Sequence, residues 1–207
     1  MKRIRSTARG KSARDELHAA HVLSVPHERE LRVAVVSDTH SRPHPNAVRV
    51  VSELAPDVIL HGGDIGDLDV LTPFRALAPL FAVRGNIDEH APDIPDSVEL
   101  ELHSNGAPLL KILLVHRAVY GPRLLPDAAA LARRTSASLV ICGHSHVPFI
   151  GRDRGITLFN PGSIGPKRFN LPITLGLMTV SPTGSTLKHV SAETGETWLP
   201  ARGPTLR

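Results

Sequence analysis

The stretch Leu31-Arg32-Val33-Ala34-Val35-Val36-Ser37-Asp38-Thr39-His40 decides how this 207-residue chain is read. Its first six residues are almost uninterruptedly apolar, and the next four are polar and end in Asp-x-His. A short apolar run without alternation predicts a strand buried on both faces, and the polar residues mark where it leaves the core. Residues i and i+2 of an extended segment point to the same side, so Asp38 and His40 can share one target.

The same grammar recurs downstream. Residues 57–60 predict a second buried strand, ending in His61-Gly62-Gly63-Asp64, and 80–83 a third, ending in Arg84-Gly85-Asn86. Helical spacing over 46–54 and 68–77 separates these strands, with Pro73 denting the second helix. Strands alternating with helices point to βαβ units and a largely parallel sheet. The second half changes character. Residues 98–103 and 109–115 flank the hairpin signal Ser104-Asn105-Gly106, and His116 follows. A helix is predicted over 127–134 and a strand over 139–142 that ends in Gly143-His144-Ser145-His146. Residues 156–159 lead into Asn160-Pro161-Gly162-Ser163, and 173–180 with 186–190 form a last hairpin.

Composition narrows the function. An apolar fraction of 41% and a charged fraction of 21% suit a soluble globular domain. No apolar run approaches the ~18 residues of a membrane span. Aromatics at 3% argue against a base-stacking platform for single-stranded nucleic acid. The lone Cys142 excludes an internal disulfide and a thiolate zinc site, fits a cytoplasmic home, and is read as core. The net charge of +4 is uneven: residues 1–30 hold seven basic against four acidic side chains, +3, which leaves +1 for the rest. A nucleic-acid footprint on the body is therefore not indicated. Residues 1–30 are read as a basic, disordered extension, 31–191 as the domain and 192–207 as a loose tail.

Five predicted strand ends thus carry seven nitrogen or oxygen donors: Asp38, His40, Asp64, Asn86, His116, His144 and His146. Ligands gather outside the carboxyl ends of strands in α/β sheets. Imidazole and carboxylate without thiolate suit Mn, Fe, Zn, Co or Ni. Seven donors exceed what one such ion takes while keeping an open position. Two ions sharing a carboxylate, roughly 3.5–4 Å apart, absorb the surplus and suit an in-line displacement at phosphorus. His61 is read as a buried supporting histidine, and Asp88 as a local cap or a partner that supports the donors rather than a donor itself. His18, His21, His27, His44, His103 and His189 receive no role.

Asp38-x-His40, Gly63-Asp64, Gly85-Asn86, His116 and Gly143-His144-x-His146, in this order, resemble the calcineurin-like metallophosphoesterase superfamily. Asn160-Pro161-Gly162-Ser163 resembles a turn of its small, YfcE-like phosphodiesterase branch, and the chain is also similar to the eukaryotic retromer scaffold Vps29. The resemblance implies a four-layer αββα sandwich of two mixed sheets. It also implies one cation on Asp38, His40, Asp64 and His146, and a second on Asp64, Asn86, His116 and His144. Asp64 would bridge them, and a bridging hydroxide would attack the phosphorus. The catalytic set is then Asp64, Asn86 and His116, with two divalent ions, Mn ahead of Fe, Zn, Ni, Co and Mg. The implied substrate is a small phosphodiester or phosphomonoester, and self-association stays open.

Two positions depart from the superfamily. Ile87 stands where many members have a histidine that protonates the leaving group, so the general acid is unassigned between His90, solvent on a metal, and a leaving group that needs no acid. Arg117-Ala118 follow His116 in place of Gly-His, and Arg117 either binds phosphate, alongside Asn86, or faces solvent. A scaffold without catalysis is the rival function.

Overall fold

Alternate residues of the Leu31–Val36 strand face two different cores, and this sets the layering. Val33 and Val35 point to one side with Val58 and Leu60, against Leu100, Leu102, Ile112, Leu114, Ile141 and Phe159. Ala34, Val36 and Ile59 point to the other, against Val50, Val51 and Phe74. All these side chains are buried, which is why the run lacks polar alternation.

The computed structural model describes residues 17–200. It contains two six-stranded mixed sheets packed face to face. The first has the order β1 (His18–Ser24), β5 (Ser97–Ser104), β6 (Ala107–Val115), β9 (Leu139–Ile141), β11 (Ile156–Asn160) and β10 (Phe149–Asp153). The second has the order β14 (Thr197–Trp198), β13 (Gly184–Ser191), β12 (Thr174–Ser181), β2 (Leu31–Val36), β3 (Val58–His61) and β4 (Leu80–Ala82). A short ribbon, β7 (Val119–Tyr120) with β8 (Arg123–Leu124), stands apart. Helices α1 (Ala47–Glu53) and α2 (Thr72–Arg75) cover the outer face of the second sheet, through Val50, Val51 and Phe74. Helix α3 (Pro126–Thr135) covers the first, packing Ala128, Ala129 and Ala132 on Leu113, Val140 and Leu158. The result is the four-layer αββα sandwich.

Four sequence expectations change. The largely parallel sheet is two mixed ones: β2, β3 and β4 run parallel, but β12 joins β2 antiparallel and β5 joins β6 antiparallel. The single helix over 68–77 is a 3-10 turn, Leu68–Leu71, followed by α2, because Pro73 lacks the N–H that would continue a helix through it. The domain does not begin at Leu31. His18 to Ser24 pair parallel with Ser97 to His103, so part of the expected extension is an edge strand. Arg29 also clamps Asp57 with two bonds of 2.7 and 2.6 Å. Likewise the tail from 192 is partly ordered: Ala192 is buried, and Thr197 and Trp198 pair with Val190 and His189. Residues 1–16 and 201–207 lie outside the described residues. Among the described residues no helix is long and apolar enough to cross a membrane.

Candidate metal centre

Strands β2, β3, β6 and β9, with the loop after β4, deliver their polar ends to one rim. Backbone bonds tie these ends together: Asp38 N donates to Gly63 O at 2.9 Å, His40 N to Asp64 O at 3.0 Å and Gly143 N to His116 O at 3.0 Å. Five of the seven predicted donors take a left-handed backbone, with φ of 56° at Asp38, 46° at His40, 53° at Asp64, 70° at His144 and 59° at His146. Non-glycine residues adopt this conformation at a cost, and such strain concentrates at functional sites.

The side chains converge. One atom from each of Asp38, His40 and His146 forms a group within 4.8 Å, as does one from each of Asp38, Asp64 and His116. His146 Nε2 lies 3.3 Å from Asp38 Oδ1 and 3.2 Å from His40 Nε2. The two oxygens of Asp64 face histidines of both groups, Oδ2 at 3.7 Å from His40 Nε2 and Oδ1 at 3.3 Å from His116 Nε2. His144 stands alongside, its ring edge-on to His116 with centroids 5.2 Å apart, while its backbone N–H donates to Asp38. Asn86 is exposed at the rim, next to Ile87, whose N–H donates to Asp64 Oδ1 at 3.2 Å. Arg117 lines a groove with Asp96, Asp127 and Arg134, and its charge is felt at His144.

The donor set fits cations. His116 donates from Nδ1 to the Gly62 carbonyl at 2.7 Å, which turns its buried Nε2 toward Asp64, where it finds no hydrogen-bond partner. Asp64 Oδ1 lies 3.3 Å away, at ion-pair distance but not in hydrogen-bond geometry. Two ligands each ~2.1 Å from one ion, at tetrahedral or octahedral angles, lie about 3.0–3.4 Å apart. The 3.2–3.3 Å nitrogen and oxygen separations fall in that interval.

Electrostatics point the same way. Burial works against the charge of Asp64, but the His116 imidazole, the Ile87 N–H and His40 outweigh it and hold this carboxylate well below the usual range. Burial also lowers His116, yet Asp64 and Asp38 prevail and raise it. Burial depresses His40 and His144, with Arg168 adding to the first and His116 and Arg117 to the second.

Supporting residues behave as their surroundings dictate. Buried Asp88 accepts from the N–H groups of Ile65, Gly66 and Gly85 at 3.1, 2.9 and 2.7 Å, pinning the Asp64 and Asn86 loops together. His61 is fully buried between Thr39 Oγ1 and Gly63 N, and burial pushes it down to about 4. Cys142 is core, its thiol pushed up to about 12 by burial. His90 directs Nε2 to the Gly66 carbonyl at 2.9 Å, so that nitrogen is engaged with the loop. Three contributors escaped the sequence reading. Ser37 donates to Asp38 Oδ2 at 2.6 Å, Ser163 donates to the Asp38 carbonyl at 3.0 Å, and Arg168 Nη2 donates to His40 Nε2 at 3.1 Å. Ser37 and Ser163 sit inside or beside recognised motifs, whereas nothing local marks Arg168.

Residues 31–183 match the model of the calcineurin-like phosphoesterase superfamily domain. The chain belongs to that superfamily. It is 33% identical over 149 residues to a "Probable metallophosphoesterase" of Methanothermobacter thermautotrophicus, covering 70% of this chain and 84% of that one. Among solved structures, Vps29 of Cryptosporidium parvum superposes with a TM-score of 0.66 at 18% identity, covering 83% and 96% of the two chains. The E. coli phosphoesterase YfcE superposes with a TM-score of 0.55 at 19% identity, covering 81% and 97%. These two likenesses show the shared fold. Superfamily membership and the donor cluster together make the chain a metallophosphoesterase with a candidate metal site.

Proposed function

We propose that the protein hydrolyses phosphate esters, phosphodiesters first, with two adjacent divalent cations, Mn ahead of Fe, Zn, Ni, Co and Mg. The observation that supports this most is the buried His116 Nε2, facing the Asp64 carboxylate without a hydrogen bond. In this reading Asp38, His40 and His146 hold one cation, Asn86, His116 and His144 the other, and Asp64 serves both. When bound, such ions supply a deprotonated water at neutral pH and offset the charge of the phosphate.

The chain's own residues do the positioning. Gly62 fixes the His116 tautomer, Ser37 orients Asp38, and Asp88 holds the Asp64 and Asn86 turns in register. Asn86 and Arg117 are the groups we assign to the phosphate, and Ile87 supplies no proton. A nearly neutral body favours a small ester over nucleic acid. One buried thiol in a chain without disulfides supports a cytoplasmic home. Ile87, 42% exposed beside Asn86, is the observation that favours a scaffold instead.

The test is hydrolysis of an aryl phosphodiester by the Mn-loaded protein, with a chelator control and Asp64→Ala. Turnover that the chelator and the variant both abolish supports the proposal. Turnover that survives Asp64→Ala removes that residue from its shared role. No turnover with a full metal complement favours the scaffold.

A further inference from the structure

The loop 165–171, Gly-Pro-Lys-Arg-Phe-Asn-Leu, has no part in the motifs, yet it borders the donor cluster. Its base is held against the Asp38 segment: Ile164 N donates to Ser37 O at 3.2 Å, and a Cβ on Gly165 would collide with the Asp38 carbonyl oxygen. From there Arg168 reaches back to His40, and a small recess lined by His146, Ser163, Lys167, Arg168 and Leu171 continues alongside. The next residue, Phe169, is 92% exposed, more than any other large apolar side chain described. Its φ is +50°, and the turn that holds it is closed by Leu171 N donating to Arg168 O at 3.1 Å. An exposed phenyl ring on a strained backbone beside a catalytic rim is a feature that solvation and local conformation both oppose. Ile87 and Val147, also exposed, directly follow the rim residues Asn86 and His146. Apolar side chains therefore stand at three points around a polar centre.

Arg168 now donates to the lone pair of His40 Nε2 that a cation would take. With that lone pair taken by a cation, the guanidinium would lose this partner and face like charge, which leaves it free for an anion. Its planar fork matches phosphate oxygens. Adjacent Cα atoms are ~3.8 Å apart, so one small ligand spans Arg168 and Phe169 if the solvent-exposed ring turns to the guanidinium's side.

We propose that Arg168 and Phe169 form a recognition pair in which Arg168 takes a phosphate oxygen and Phe169 packs on a flat ring, so that the substrate class is a phosphate ester carrying an aromatic ring close to phosphorus. This deepens the phosphoesterase reading above and rests on it for the chemistry, though not for the binding.

The experiment is calorimetric binding to the Mn-loaded full chain, with metal content measured in each variant. Phenylphosphonate is compared with methylphosphonate, and adenosine 5′-monophosphate with ribose 5-phosphate. In at least one pair the ring-bearing member binds about fivefold tighter or more. Phe169→Ala brings that ratio close to one without weakening the ringless member, and Phe169→Tyr restores it. Arg168→Ala weakens both members about tenfold. A Phe169-dependent ratio in the first pair alone places the ring on an aryl ester, and in the second on a nucleoside. Ratios near one in both pairs, a ratio that survives Phe169→Ala, or no binding of either pair overturns the proposal. A Phe169-dependent ratio without any ester hydrolysis sinks the hydrolase reading and leaves the recognition pair standing. Hydrolysis with equal affinities does the reverse.

Discussion

His116 Nε2 and Asp64 Oδ1 face each other across 3.3 Å without a hydrogen bond, because the ring's orientation is set by its other nitrogen, which donates to the Gly62 carbonyl. A buried imidazole lone pair beside a buried carboxylate is unfavourable unless a proton or a cation lies between them. The pair is thus a competition between the two, and the pH sets its outcome.

The sign follows from His116, whose folded value is raised above the ordinary 6.5. Without metal, the charged imidazole contributes stability that is full below 6.5 and is lost as pH rises through the raised value. If His116 holds a cation as proposed, metal binding displaces that proton, so Mn affinity is expected to climb with pH through the same window above 6.5. Titration calorimetry at several pH values checks this, and His116→Gln should flatten that limb. A pH-independent affinity would place the proton elsewhere.

Asp88 carries three buried N–H groups. Asp88→Ala leaves them unsatisfied, and a loss of roughly 2–4 kcal/mol is expected in urea unfolding. Metal affinity should fall about 10–100-fold, because the Asp64 and Asn86 turns both relax. A stable variant with full affinity would show that the loops hold themselves.

Gly85 has no room for a side chain. A Cβ there would collide with the backbone nitrogen and Oδ1 of Asp64. Gly85→Ala is expected to cut bound metal and turnover at least about 10-fold by pushing the Asp64 carboxylate out of place, and elemental analysis of the purified variant reads this directly.

The edge strand is part of the domain. Deleting residues through Glu30 removes the β1–β5 pairing and the Arg29–Asp57 clamp and bares the edge of β5. The melting temperature is expected to fall by at least about 5 °C, with increased self-association through the open edge. A truncated chain that melts like the full one would return the boundary to Leu31.

Much of this molecule was legible locally. Val33 to Val36 and Val58 to Leu60 are apolar on both faces because both faces are covered, so their strands and the donors after them could be read from short windows. Asn105 and Gly106 take positive φ, as an Asn-Gly turn predicts. β1 was not legible, since HAAHVLS lies at a sheet edge and exposes most of its residues, leaving no apolar pattern. β10 was missed for the same reason: Ile150 and Arg152 are exposed, and only the turn at Arg154 and Gly155, both at positive φ, marks the hairpin.

Sequence alone determined which atoms are available to a metal and that each follows a strand, because donor chemistry and strand period are properties of a few consecutive residues. Only the tertiary structure decided that Arg168 would meet His40, 128 positions away, and that Asp64 would face two histidines at once. Such meetings depend on how two sheets stack and where their loops return, and no short stretch of chain encodes that distance.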